Sequence, residues 1–305
     1  MGVKKDDSNA FVRFNSHERS ELTSSYNSRF NSPLNKRTMK RILMVLAATL
    51  ICGACVFTSC KKDKDNTDLN LKEKIIGKWI TADVDGQSLP TNNKMVITFV
   101  STSKAYLSAS FSEHQGAELW GSQMEVAVAI DGNKVTLTNH TDEHTTSVEE
   151  YIVTAINDNE FTANQKVTVT VDGMVVHTRE GKMRYVKTTA DYSAAILGLW
   201  ECTELTGVET FNDANARLEF YGDGTYNYWR KNDAGQWEAV TNREFQNYFV
   251  DGTLLATRWK NQGEEELREW WEIASLGGGE MQWIALRQNA DGTTFTATFE
   301  MEKVN

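Results

Sequence analysis

The chain has 305 residues, 40% of them hydrophobic and 24% charged, with a net charge of −10. This is the composition of a globular protein and excludes wholesale disorder, while the acidic balance excludes nucleic acid as a partner. Pro33 and Pro90 are the only prolines and Gly, Thr, Val and aromatic residues recur, which favours strands over long helices.

In chain order, residues 1–38 come first, rich in Ser, Asn and Arg from Asn15 to Lys36. With so few apolar residues this stretch cannot build a core, and it reads as a disordered or untranslated leader, with translation beginning at Met39. Met39-Lys40-Arg41 then leads into the apolar run Ile42 to Ile51, the basic and hydrophobic regions of a secretory signal peptide over 39–59. A membrane-spanning anchor is the weaker alternative, because Gly53, Thr58 and Ser59 interrupt a run that barely reaches spanning length.

Phe57-Thr58-Ser59-Cys60, followed by the charged Lys61-Lys62-Asp63-Lys64, resembles the lipobox of bacterial lipoproteins. The resemblance implies cleavage before Cys60, lipidation of its thiol and anchoring in the bacterial cell envelope, at the outer membrane. Cys55 is the rival cleavage point, but it would leave five further apolar or small residues ahead of the tether at 60–70. Each buried acyl methylene contributes about 0.8 kcal/mol, so more than one chain makes a lasting anchor. Loss of residues 1–59 removes nine Lys and Arg and four Asp and Glu from totals of 32 and 42, leaving a net charge of −15. Cys52 and Cys55 leave with the signal peptide, so Cys202 stands alone and no intramolecular disulfide forms. Two residues after Trp200, in an alternating pattern, Cys202 reads as a small buried hydrophobe and not as a nucleophile.

Ile75-Ile76-Gly77-Lys78-Trp79 is repeated 121 residues later as Ile196-Leu197-Gly198-Leu199-Trp200. The register persists downstream: Gly86 matches Gly207, Asp131-Gly132 matches Asp251-Gly252, and Asp172-Gly173 matches Asp291-Gly292, with a drift of two residues. Such self-similarity marks a tandem duplication, with copies at 71–188 and 192–305. Asp-Gly pairs between alternating apolar residues, such as Val126/Val128/Ile130 before Gly132 and Val135/Leu137 after it, predict hairpins. In the first copy about eight strands are expected, near 76–84, 94–101, 104–111, 122–130, 134–139, 147–156, 160–171 and 174–187. The second has a similar tally, with a short helical possibility around Asn242 to Tyr248. An eight-strand antiparallel meander removes its edges by closing into a barrel; an open β-sandwich is the competing all-β solution.

Gly-x-Trp on the first strand of an eight-strand unit resembles the lipocalins, especially the small lipocalin-like domains of lipid-anchored bacterial proteins. By that resemblance the fold is two tandem eight-stranded antiparallel lipocalin-like barrels. Gly77 and Gly198 bend the chain across each barrel floor, and Trp79 and Trp200 plug the closed end.

Seven of the nine tryptophans fall in the second copy, which selects that copy as the ligand binder. Adjacent residues of a strand face opposite ways, so one of Trp270 and Trp271 is expected to face outward, as a platform for a glycan or a partner protein. With Trp271 lie Leu267, Glu269 and Ile273, and the next run offers Trp283 and Arg287. Arg258 shares a face with Leu254 and Ala256. A charge inside a barrel is costly unless paired, so Arg258 or Arg287 with Glu269 forms a structural pair or a polar anchor for a ligand. His140 and His144 lie in a loop that lacks the three or four placed ligands of a zinc site, so no metal is expected. No phosphate loop, dinucleotide fingerprint, nucleophile elbow or Cys-His arrangement occurs, and no cofactor or catalytic residue is assigned. The expected function is binding and not catalysis: a small apolar ligand held in a barrel. Filled barrels that contact a glycan or envelope partner are the second reading, and a hydrolase the third.

Overall fold

The computed structural model describes residues 70–108, 120–140, 142–207 and 216–304. The leader, the signal peptide, Cys60 and nearly all of the tether lie outside these residues, as does the end of the strand expected at 104–111.

A one-turn helix, α1 (Leu71–Lys74), precedes the first sheet, and Leu71 and Ile75 are buried against its core. The strands follow the expected alternation: β1 (Gly77–Val84), β2 (Gln87–Ser88), β3 (Val96–Ser101), β4 (Lys104–Ser108), β5 (Gln123–Asp131), β6 (Lys134–His140), β7 (Thr145–Ile156), β8 (Glu160–Val171) and β9 (Met174–Thr188). From β3 onward each pairs antiparallel with the next, and β1 pairs with both β3 and β9. This closes an eight-stranded barrel, with β2 merely folding back on the end of β1. Because side chains alternate along a strand, Trp79, Phe161 and Tyr185 fill the interior, whereas Ile80 and Val96 face outward.

The second copy comprises β10 (Gly198–Thr206), β11 (Ala216–Phe220), β12 (Tyr226–Lys231), β13 (Trp237–Ala239), β14 (Arg243–Asp251), β15 (Leu254–Asn261), β16 (Glu266–Gly277), β17 (Glu280–Gln288) and β18 (Thr294–Lys303). Its order, β13-β12-β11-β10-β18-β17-β16-β15-β14, is that of the first with two changes, the first being that no strand corresponds to β2. By its Asp-Gly turn β14 corresponds to β5, yet where β4 pairs with β5, β12 pairs with the added strand β13. Between β12 and β14 there remain an isolated bridge, Thr225 to Asn247, and a bond from Tyr248 N to Gly224 O of 2.8 Å. The second unit is therefore a curled half-barrel with a seam. Each copy is a single sheet, not a sandwich of two sheets.

The helix considered at Asn242 to Tyr248 is strand β14, paired along its length with β15. Its two faces are both used: Tyr248 and Val250 pack into the second core, and Phe249 packs against the first barrel's outer wall. Burial on both faces erased the period of two that identifies a strand.

The floors of the two copies superpose in chemistry. Gly77 and Gly198 have φ of 128° and 110°, values that favour glycine. Trp79 Nε1 donates to Ile75 O at 2.6 Å and Trp200 Nε1 to Ile196 O at 2.7 Å. Lys187 and Lys303, from the last strand of each copy, lie over these indoles at 5.0 and 5.2 Å from the ring centroids. Even the bulge recurs, between Thr81 and Asp83 in β1 and between Cys202 and Glu204 in β10. Cys202 is a buried thiol in the second core, outside any disulfide, and donates to Glu204 O at 3.7 Å.

The units dock wall to wall. Ile80 and Val96 of the first pack with Leu254, Ala256 and Trp270 of the second, joined by Trp120 and Phe249. Around this apolar patch Lys78 pairs with Asp251, Lys94 with Glu272 at 2.5 Å, and Leu286 N donates to Thr91 Oγ1 at 2.9 Å.

Candidate functional site

The interior of the second unit is built by β15, β16 and β17. Leu255, Thr257, Trp259 and Asn261 point inward from β15, opposite Trp271, Glu269 and Leu267 of β16. From β17 the inward residues are Met281, Trp283, Ala285 and Arg287. Trp271, Trp283 and Phe299 form a tilted aromatic wall with centroids 5.2 to 6.1 Å apart. Aromatic rings in such offset arrangements combine large buried area with directional contacts.

Toward the end opposite Trp200 the wall becomes polar. Glu269 is 5% exposed and forms an ion pair with Arg287, whose guanidinium also lies 4.7 Å from the centroid of Trp271. Arg287 Nε and Trp283 Nε1 are buried without a hydrogen-bond partner. Each is a donor and nothing else, so two donors on the inward face of β17 are left for an acceptor. Arg243, at the same end of β14, lies over Tyr228 and Trp259 at 5.1 and 5.5 Å. Burial lowers its pKa, partly offset by Tyr226 and Tyr228. Burial also pushes the Tyr228 hydroxyl up to about 12, so that hydroxyl stays protonated at neutral pH.

Four of the residues singled out in the sequence, Glu269, Trp271, Trp283 and Arg287, thus share one interior. Arg258 does not. It projects from the other face of β15 toward the first barrel, over Trp120 at 4.7 Å and Phe245 at 5.3 Å, with Glu266 at 3.8 Å. Its partner is therefore not Glu269. The expected exposed indole is also corrected: Trp270 does face outward, but the first barrel covers it and it is 8% exposed. It offers no platform to a glycan.

His140 closes β6, and His144 Nδ1 lies 2.7 Å from Asp172 Oδ1 at the tip of the β8–β9 hairpin. Among the described residues no group of three or more metal-ligating side chains converges, and no helix is long and apolar enough to cross a membrane. Reading the sequence missed Arg243, which sat in the presumed helix, and the lysines above the floor tryptophans. The signal for the lysines was their common place at the end of each copy.

The molecule is thus an all-β protein of two tandem antiparallel units, the first a closed eight-stranded barrel, the second seamed and lined with aromatic residues. No family model matches the chain, and no curated protein does. Solved structures with related folds include a lipocalin-like protein from Bacteroides uniformis ATCC 8492, 11% identical, covering 36% of this chain and 100% of that one, TM-score 0.27. Others are a candidate outer membrane protein from Bacteroides fragilis NCTC 9343, 11% identical, covering 76% and 99%, TM-score 0.20, and a protein of the DUF3598 family from Nostoc punctiforme PCC 73102, 10% identical, covering 78% and 99%, TM-score 0.19.

Proposed function

We propose that the protein is a lipid-anchored binding module of the bacterial cell envelope, at the outer membrane, which takes a small and largely apolar molecule into its second unit. The observation that carries this reading is the pair of buried donors without partners, Trp283 Nε1 and Arg287 Nε, on the inward face that also carries the aromatic wall. A buried donor left unsatisfied costs about 1–3 kcal/mol, a cost that a ligand with an acceptor group removes. The apolar body of the ligand lies against Trp271, Trp283 and Phe299, and the Glu269–Arg287 pair orients its polar end. The seam between β12 and β14, crossed by the Thr225–Asn247 bridge and by the bonds of Tyr248 to Gly224 O and Tyr221 O, lacks a strand ladder and is the part of the wall that widens most easily for entry. The role is sequestration and not turnover.

Native mass spectrometry of the protein purified from its own host tests the reading: a retained small molecule is expected, and it should be lost in Arg287→Ala while Trp79→Phe keeps it. A second unit that retains nothing and binds no apolar probe would sink the proposal. The anchor is tested by labelling with an acyl-chain analogue, which Cys60→Ala should abolish; persistent labelling would move the modification to another cysteine.

A further inference from the structure

The seam of the second unit corresponds rung by rung to the closed wall of the first. Phe99 pairs with Gly77 and Ala105, and Phe220 with Gly198 and Tyr226, so Ala105 and Tyr226 hold equivalent places on β4 and β12. Across the gap the turn aspartates Asp131 and Asp251 end β5 and β14, which makes Val126 equivalent to Gln246 and Ala127 to Asn247. In the first barrel Lys104 faces Ala127 and Ala105 faces Val126. The same register in the second unit sets Thr225 against Asn247, and that is the isolated bridge found across the seam.

The bridge is therefore one rung of the ladder that closes the first barrel, with Tyr248 N donating to Gly224 O at 2.8 Å beside it. Continued, this ladder pairs Tyr226 with Gln246, Asn227 with Phe245 and Tyr228 with Glu244, just as Ala105 to Leu107 pair with Val126 to Met124. It stops because β13 holds the next stretch of the edge. Val240 N donates to Tyr228 O at 2.9 Å and Asn232 N to Gln236 O at 2.8 Å, and Lys231 pairs with Trp237. Alternate residues of an antiparallel strand turn their backbone groups to the same side. Gly224 O and Tyr228 O both point to the seam, so the continued ladder brings Glu244 N to the acceptor that Val240 N occupies.

Strand β13 is built to be displaced. It has three residues and β12 as its strand neighbour, and so short and singly paired a strand belongs to the low-stability end of a fold. Its Trp237 lies on the outer face of the sheet, with Arg217 and Lys231 at 4.1 and 4.9 Å from its ring; Val240, at its end, packs against the second core. The chain is also long enough to do without it. With Trp229 set against Arg243, the connection from β12 to β14 spans 230–242, and the first barrel closes with a connection of 109–122 between Ser108 and Gln123.

We propose that β13 is a strap that exchanges with β14 on the edge of β12. When it lets go, Tyr228 O passes from Val240 N to Glu244 N, the ladder zips from the Thr225–Asn247 rung, and the second unit closes in the register of the first barrel. A molecule lying against Trp271 and Trp283 enters while the strap is on β12 and is shut in when β14 replaces it. The exchange stands on the strand registers; only its coupling to a bound molecule rests on the function proposed above.

Amide hydrogen exchange followed by nuclear magnetic resonance on the full chain tests the strap. Trp229 and Ala239 face each other between the rungs at Tyr228 and Arg230, a non-hydrogen-bonded position close enough for a disulfide. In Trp229→Cys/Ala239→Cys the oxidised protein keeps β13 on β12, and its Glu244 amide should exchange about tenfold faster than in the reduced protein. Val240→Pro, which removes the donor to Tyr228 O, should slow the exchange of Glu244 relative to the unaltered chain. Equal exchange in the oxidised and reduced forms overturns the proposal, and that comparison uses one polypeptide and does not depend on how Val240→Pro folds. Faster exchange of Glu244 in a folded Val240→Pro overturns it as well. The coupling is read with the dye 1-anilinonaphthalene-8-sulfonate, which should leave the oxidised protein about tenfold faster than the reduced one; equal release removes the coupling. A protein that takes up no dye counts against the binding function, while the amide comparison still decides the strap.

Discussion

Lys78 on β1 and Asp251 at the β14–β15 turn form an ion pair that joins the two units, and Gln123 Nε2 donates to the other oxygen of Asp251 at 3.3 Å. The lysine side chain is 23% exposed and the aspartate 7%, so the pair is partly desolvated. Removing one partner of such a pair strands the other. Asp251→Ala is expected to weaken docking by about 1–2 kcal/mol, discounted for the access of solvent to Lys78, and Trp270→Ala in the apolar patch by about 3 kcal/mol. Scanning calorimetry of the double variant should split a single transition into two. A single transition at unchanged temperature would mean that the docked walls contribute little.

Glu269 and Arg287 invite a cycle of substitutions. Glu269→Gln leaves a guanidinium buried without its counter-charge and is expected to cost about 3 kcal/mol. Replacing both, as Glu269→Leu with Arg287→Met, should recover most of that loss. Urea unfolding of the four forms measures the coupling; single and double variants of equal stability would show that the pair is not a unit.

Gly77→Ala and Gly198→Ala place a Cβ on backbone with φ near 128° and 110°, a strain of about 1–3 kcal/mol each. In the first barrel the new Cβ also meets Lys187 Cε at 2.6 Å, against 3.2 Å to Lys303 Cε in the second. Gly77→Ala should therefore be the more damaging, since Lys187 must leave the face of Trp79. Thermal melts of the two variants rank them.

His144, in the bend before β7, and His177, on β9, titrate in opposite directions. The hydrogen bond to Asp172 raises the pKa of His144 above the ordinary 6.5, while burial lowers that of His177. A raised base stabilises the fold fully below 6.5, and that contribution is lost as pH rises through the folded value; for His177 the loss comes as pH falls below 6.5. Nuclear magnetic resonance titration should place the two midpoints on either side of 6.5, with Asp172→Asn bringing His144 down and leaving His177 in place.

Most of the fold was legible because the turns are chemically explicit. Asp131-Gly132, Asp172-Gly173 and Asp251-Gly252 all sit at the hairpins they predict. The interior set Glu269, Trp271, Trp283 and Arg287 was legible from alternation alone. What alternation cannot supply is which face of a strand meets water when a second domain covers the outside. Leu254, Leu255 and Ala256 are all buried, and that unbroken apolar run was the available sign of a strand covered on both faces. It would have moved Arg258 and Trp270 to the docking wall. Glu149 was equally readable, lying in register with Tyr151 and Val153.

The recurrence of the floor carries a hazard that the walls answer. Trp79 pairs with Lys187 and Trp200 with Lys303 through identically placed bulges, so the backbone of β18 fits the edge of β1 as well as its own. Repeated units in one chain misassemble by such exchanges. Counting back from the two lysines, Arg179 and Gly181 of β9 correspond to Phe295 and Ala297 of β18. An exchanged strand would set Phe295 beside Glu149 and Arg179 against the wall of Trp271. Refolding of a chain with Arg179→Phe and Gly181→Ala should therefore yield more trapped or intermolecularly swapped species, visible by size-exclusion chromatography, than the unaltered sequence. In that light the divergence of the two interiors also acts as an address, telling each closing strand which cylinder to complete.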